Sequence, residues 1–486
     1  MGGIHSASEA APESETPSWA AASAEPGEGR RARSRRRKAP RSTRRRALLW
    51  TAGALSVLLL AGAGTAAYLY QRLDGNIEGF DLERGLDEDS RPANLSPGAK
   101  NILVVGSDSR EGTGGKYGSG FETMQSDTLM IVHIAADREW AAVVSLPRDS
   151  WVEIPACDKG DGTMSEPHHF KINSSFAIGG LSGDIEGAAT CTVKTVEQNT
   201  GLRIDHFMSL NFNGFKGMVD ALGGVEVCPE QAIKDKKASL DLQPGCQTLD
   251  GEESLGYVRT RYALGNGSDI SRIGRQQEFM ETLAKKAQSK LSDPKAMFGF
   301  LDAFTSNLAT DSALDGVRPL SDLARSVQGI PTDRLTFMTV PNYPRELDVP
   351  TDRANVVWQY PQTETLFSKL ARDEEVDKEA LEASAEASRD IRPGQIRVQV
   401  LNGTGEAGRA GEVAEELRRA GFQIVGTGNA AEPAAETAIR YPEGLEAKAE
   451  VFSGRVPDSE PAAAEPGAAP GVITLVIGDD FPGLRG

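Results

Sequence analysis

Histidine is scarce in this chain, with five in 486 residues and no HExxH pair. That excludes histidine-held metal catalysis of the zincin type. The four cysteines form no CxxC and no Cys/His cluster with zinc spacing, which excludes a thiolate metal site. There is no GxSxG elbow, no P-loop and no internal repeat. Positive charge is missing from the bulk of the chain. The formal net charge is −17, yet residues 1–46 carry eleven Lys/Arg against five Glu, so about −23 lies beyond residue 70. An acidic body of that size excludes nucleic acid as a partner.

Charge of either sign is absent from residues 47–70, ALLWTAGALSVLLLAGAGTAAYLY. A spanning helix needs about 20 such residues, and the apolar part of a cleaved signal peptide is shorter. The run predicts an uncleaved transmembrane anchor. The basic block directly before it predicts a cytoplasmic N-terminus and a catalytic domain outside the cell membrane, in a single pass. The first 46 residues read as a disordered basic cytoplasmic tail.

Residues 71–98 read as a spacer and 99–345, where strand and helix patterns alternate, as the main domain. Residues 346–394 read as a linker, highly charged in the second half. Residues 395–486 read as a small C-terminal domain, with an amphipathic helix around 408–420 and a mobile Pro/Ala/Gly-rich loop at 453–471. An even cysteine count beyond an anchor predicts two disulfides. Three pairings are possible; Cys157–Cys191 with Cys228–Cys246 is favoured because the latter two flank a polar excursion after VEV.

Three strand-like runs fix a geometry. Residues 102–106, 128–134 and 140–146 are rich in β-formers, and residues 135–139 are short enough to join the last two as a hairpin. Antiparallel pairing then brings Asp127 and Arg148 to one edge. A first strand parallel to the third would carry Asp108 there too, under the Gly-rich stretch 111–120. A helix is expected from Asp269 or Ser271 to about Leu291, with Arg272 and Gln276 one turn apart. Arg259 and Arg261 would share a face if their segment is extended.

The cations Arg148, Lys171, Arg259, Arg261, Arg272 and Arg275 suit a phosphate-rich anion, since guanidinium forks bind phosphate oxygens bidentately. Two carboxylates, Asp108 and Asp127, suit Mg²⁺, which completes its shell with phosphate and water. Taken singly each residue has a plainer reading, as a turn aspartate, a surface ion pair or a solvated charge. Their joint order carries the argument.

NILVVGSDSR, SDTLMIVHI, VVSLPRD, FKIN, YVRTRY and DISRIGRQQ, in this order, resemble the LytR-CpsA-Psr family. The VLNGTG opening at 400–405 is similar to a LytR C-terminal domain. The resemblance implies an α/β/α catalytic domain with a mixed central sheet, followed by a small α/β domain. It implies a phosphotransferase that moves a glycopolymer from a polyprenyl-pyrophosphate carrier to peptidoglycan, with membrane lipid and Mg²⁺ at hand. It implies catalytic roles for Arg148, Asp108 and Asp127, with Mg²⁺ on the two aspartates. It puts pyrophosphate on Arg110, Lys171, Arg259, Arg261, Arg272, Arg275 and Gln276. Competing readings are a polyprenyl-pyrophosphate hydrolase, a non-catalytic envelope regulator and a wall-binding protein.

Overall fold

The structure, a computed structural model, describes residues 43–107, 126–236, 238, 240–260, 269–290, 292–457, 459, 461–464 and 469–484. Side chains are described for these residues except 43–47, 269–273 and 332. The chain divides into two compact units, residues 1–65 and 66–486. Helix α1 (Thr43–Asp74) begins in the first. Its stretch Leu48–Asp74 is long and apolar enough to cross a membrane. Leu48, Leu49, Leu55 and Leu58 to Leu60 all stand exposed, which is costly in water and favourable in lipid.

The second unit is built on one mixed sheet. Strands β1 (Glu78–Phe80), β2 (Lys100–Ser107), β3 (Ser126–Ile134) and β4 (Ala141–Leu146) come first in the chain. The hairpin β5 (Trp151–Ile154) and β6 (His168–Lys171) leads to helices α2 (Ser174–Gly179) and α3 (Ile185–Thr200). Then come β7 (His206–Asn211) and α4 (Phe212–Ala221). Short strands β8 (Val225–Val227), β9 (Ile233–Asp235), β10 (Leu240–Leu242) and β11 (Gln247–Leu249) form two antiparallel pairs, β9 with β10 and β8 with β11. Three helices follow, α5 (Gly251–Arg259), α6 (Asp269–Ser289) and α7 (Pro294–Thr305). Strand β12 (Leu308–Asp311), helix α8 (Val317–Gln328) and strand β13 (Leu335–Thr339) complete the sheet region.

The sheet order is β1-β12-β7-β2-β3-β4-β13. Strand β3 runs antiparallel to β4, as the hairpin reading required, and also to β2, so β2 and β4 point the same way. Side chains alternate between faces. Leu103, Val105, Leu129, Ile131 and Val144 meet Phe176, Val193 and Val196 of α2 and α3 on one face. Ile102, Ile134 and Met208 meet Leu323 and Val327 of α8 on the other. A separate core joins α4, α5 and α6 through Val219, Leu222, Tyr257, Phe279 and Leu283.

Residues 346–394 pack where a linker was expected. They contribute β15 (Val356–Trp358), which pairs with β14 (Asn342–Pro344), and helices α9 (Gln362–Ala371) and α10 (Lys378–Ser388). Trp358, Leu366, Phe367, Leu370, Val376 and Leu381 all enter the main core. The charge of the second half had coloured the reading of the whole stretch, although Leu366, Phe367 and Leu370 give α9 an apolar face at helical spacing.

The C-terminal domain has its own core, centred on Val398, Val400, Val413, Leu417, Phe452 and Leu475. Strands β16 (Arg397–Asn402), β17 (Gln423–Asn429), β18 (Ala438–Tyr441), β19 (Pro461–Ala463) and β20 (Ile473–Ile477) form a sheet in the order β17-β16-β20-β18-β19. Helices α11 (Arg409–Arg419) and α12 (Glu446–Ser453) cover it. Part of the expected loop 453–471 is thus the edge strand β19. The domain abuts the preceding segment closely: a Cβ added at Gly454 would meet Tyr360 Cβ at 2.1 Å. Both disulfides, Cys157–Cys191 and Cys228–Cys246, are formed as expected.

Candidate active site

Asp127 and Arg148 face each other because of strand register. Leu129 pairs with Leu146, so two residues further out Asp127 lies opposite Arg148. Arg148 Nη1 donates to Asp127 Oδ1. On the other flank Gly106 pairs with Thr128 and Ser107 with Ser126, which leaves Asp127 as the extra residue of a β-bulge. Bulges re-aim a side chain and commonly lie beside functional sites. Both side chains remain about one-fifth exposed, at 20% for Arg148 and 22% for Asp127.

The guanidinium is not saturated. Arg148 Nε is buried without a hydrogen-bond partner and lies 3.8 Å from Asp149 Oδ2. Asp149 is held by Lys171 Nζ, which donates to its Oδ1 at 2.5 Å and to the Ala354 carbonyl at 3.3 Å. Lys171 therefore takes up charge on the aspartate next to Arg148, whose own ion pair is with Asp127.

Below this pair opens a cavity of about 320 Å³. Its walls are apolar: Val104 from β2, Met130 from β3, Phe215 and Met218 from α4, Leu255 and Val258 from α5, Met280 and Leu283 from α6. Its polar lining residues include Asp127, Arg148, Asp235, Arg259 and Gln276. Arg259 lies over the Phe212 ring at 4.7 Å, which steadies the guanidinium.

The expectation that Arg259 and Arg261 share a face of an extended segment does not hold at its first residue, since Arg259 ends helix α5. An Asp250–Glu253 capping box starts that helix, and its apolar residues pack as a helical stripe rather than a strand. Two bonds fix where it stops. Thr260 Oγ1 donates to Asp235 Oδ2 at 2.6 Å, and Arg275 Nη2 donates to the Thr260 carbonyl. Burial holds the Arg275 guanidinium below its usual range and pushes the Tyr257 phenol up. Gln276 Nε2 donates to the Val258 carbonyl at 3.0 Å. Gln277 reaches Ser145 and Thr339, both at 3.2 Å, and ties α6 to the sheet.

The structure thus brings Asp127, Arg148, Arg259 and Gln276 to one cavity, with Lys171 and Arg275 as supports behind it. Asp108, Arg110, Arg261 and the Arg272 side chain lie outside the described residues. Among the described residues no group of three or more metal-ligating side chains occurs. Asp127 is the one described member of the expected Mg²⁺ pair. Sequence reasoning missed Phe212, Asp235 and the apolar walls, because methionine and phenylalanine at helical spacing read only as core.

Residues 69–371 match the LytR_cpsA_psr family, well over half of the chain, and the protein belongs to it. Residues 395–481 match the LytR cell envelope-related transcriptional attenuator domain. The chain is 31% identical over 317 residues to the polyisoprenyl-teichoic acid–peptidoglycan teichoic acid transferase TagT of Bacillus subtilis, covering 63% of this chain and 89% of that one. It is 35% identical over 285 residues to the probable cell wall biosynthesis protein LcpB of Corynebacterium glutamicum, spanning 56% of this chain and 60% of that protein. Similarity to the cell wall biosynthesis protein LcpA of the same organism is 28% over 410 residues, or 78% of this chain and 76% of that one. Among solved structures, TagT bound to LI-WTA is similar over 61% of this chain and all of that one, at 24% identity and a TM-score of 0.43.

Proposed function

We propose that this protein is a membrane-anchored phosphotransferase that moves a glycopolymer from a polyprenyl-pyrophosphate carrier to peptidoglycan. One observation carries the reading: an apolar cavity of about 320 Å³ bearing arginines and an aspartate among its lining residues. Such a shape takes an apolar chain that ends in a multiply charged anion, which is the shape of a prenyl pyrophosphate. Relatives named as teichoic acid transferases supply the chemical precedent.

In the reaction an acceptor hydroxyl of peptidoglycan attacks the phosphorus that carries the glycan. The bond from that phosphorus to the bridging oxygen breaks. Polyprenyl monophosphate leaves and takes up the proton that the hydroxyl gives up, and the glycan is joined to the wall by a phosphodiester. Negative charge builds on the bridging oxygen as the bond breaks, and Arg148 and Arg259 stabilise it in a cavity of low dielectric. The open Nε of Arg148 matches a second phosphate oxygen. Asp127 would hold Mg²⁺ together with pyrophosphate oxygens, and the ion would neutralise charge on the leaving group. Helix α1 would anchor the enzyme in a single pass, with its N-terminus in the cytoplasm and the catalytic domain outside.

Reconstitution tests this. The full chain in vesicles would receive a polyprenyl-pyrophosphate glycan, Mg²⁺ and peptidoglycan fragments. A glycan–phosphate–peptidoglycan adduct is the expected product. Free phosphoglycan in its place makes the protein a hydrolase, and an unchanged donor overturns the reading.

A further inference from the structure

Helix α7 is apolar on the side where a water-facing helix would be polar. It rests on α4 through small residues: a Cβ at Gly299 would lie 3.2 Å from Ala221, and one at Gly217 would lie 2.8 Å from Ala303. At 100° per residue the opposite face carries Met297, Leu301 and Phe304, spaced i, i+4, i+7. Met297 and Phe304 are only partly covered, and Leu301 is 37% exposed.

Hydrogen bonds tie this helix to the C-terminal end of α1. Arg72 Nε and Nη2 donate to both carboxylate oxygens of Asp302 on α7, each at 2.9 Å. Asn76 Nδ2 donates to Thr305 Oγ1 at 3.4 Å. Arg72 is the first charged residue after the uncharged run 47–70, so it marks the hydrocarbon boundary if α1 spans the bilayer. Just before it Tyr68 and Tyr70 are exposed, in the position of an interfacial aromatic belt. Leu301 is the immediate neighbour of Asp302. The headgroup zone is roughly 5–7 Å deep on each side, and α7 is roughly 18 Å long, so a helix tied at Asp302 has its apolar face within reach of that zone.

Charge agrees with this placement. In a chain of net charge −17, residues 286–295 hold Lys286, Lys290 and Lys295 against Asp293, while Lys285 just before them is paired with Glu281. A basic junction leading into an apolar helix face is the composition of an element that lies in an anionic lipid interface.

We propose that α7 is a membrane-docking helix. Its Met297–Leu301–Phe304 face enters the headgroup–acyl boundary, and Lys286 and Lys290 before it and Lys295 in its first turn meet anionic lipid headgroups. Because α7 backs α4, a wall of the cavity, docking would hold that cavity against the bilayer. The placement rests on α1 as a membrane span and not on the transfer reaction.

The native cysteines are all in disulfides, so a single introduced cysteine takes one spin label. The full chain carrying Leu301→Cys would be placed in vesicles of phosphatidylcholine and phosphatidylglycerol. Collisions with oxygen, which enriches in lipid, would be compared with those of a water-soluble nickel chelate. Val425→Cys, exposed in the C-terminal domain, is the aqueous reference and Leu59→Cys the lipid one. The oxygen-to-nickel ratio at 301 is expected to be several-fold above that at 425. Met297→Cys reads the same face should Leu301→Cys misfold. Equal ratios at 297, 301 and 425 overturn the proposal, and an aqueous Leu59 removes the anchor on which it rests. Lys286→Gln with Lys290→Gln and Lys295→Gln should lower the ratio at 301 in anionic vesicles; an unchanged ratio overturns the role given to the lysines.

Discussion

Arg148 donates to Asp127 across the ends of two adjacent antiparallel strands, and its Nε is left buried without a partner. The pair is therefore both placed and incomplete. Strand register sets the separation, while the open donor sets the demand for an additional acceptor. A buried donor without a partner costs about 1–3 kcal/mol, which a phosphate oxygen would recover on binding.

Arg148→Ala should leave the domain folded and remove transfer. Losing one charge-assisted bond costs about 1.5–3 kcal/mol, and loss of an oxyanion-type donor in the transition state lowers turnover by roughly 10²–10³-fold. Arg148→Lys keeps the charge without the planar fork and should fall between wild type and alanine. Melting curves alongside the transfer assay check both variants, and near-normal turnover in the alanine variant would rule out the role.

Met280→Trp should fill part of the cavity from the α6 side while leaving its charged residues unchanged. The expected result is a raised KM for long prenyl donors with kcat little altered, because binding of the chain is lost equally in ground and transition states. Donors with a short prenyl chain should be less affected. A kcat loss with KM unchanged would place the prenyl chain elsewhere.

Intact-mass measurement of the exported protein should find no free thiol. Replacing Cys157 and Cys191 together should cost about 2–4 kcal/mol, read as a lower melting temperature. The sequence separation is 34 residues, and the pair sits in its own small core with Ile154. Melting that stays the same with and without reductant would argue against a stabilising role.

Two truncations separate the domains at different points. A chain ending at Asp373 loses Val376 and Leu381 from the main core, and deleting one large buried side chain already costs about 2–5 kcal/mol. It should melt lower and transfer less. A chain ending at Arg392 keeps both residues and loses the contacts around Gly454 and Tyr360, so it should retain most of its activity on soluble acceptors. Equal behaviour of the two chains would mean that α10 adds nothing to the core.

The sequence by itself determined whatever short spacing controls. A five-residue connection between two β-rich runs admits a hairpin, and a hairpin sets Asp127 opposite Arg148 before any other contact is known. An uncharged run of 24 residues likewise sets a helix long and apolar enough to cross a membrane, while the sequence favoured one of three disulfide pairings and the structure decided it. Composition misled at 346–394, where the charge of 372–394 drew attention from the apolar residues Leu366, Phe367, Leu370, Val376 and Leu381 that enter the core. Only the tertiary structure decided the cavity. Met218, Leu255, Val258 and Met280 are spaced as any helix core is spaced, and periodicity tells which residues share a face but not whether that face meets protein, ligand or space. The same holds for Arg275, which closes the end of α5, and for Asp302, which meets Arg72 from 230 positions away. Contacts at that separation depend on how packed layers meet, and no local pattern encodes them.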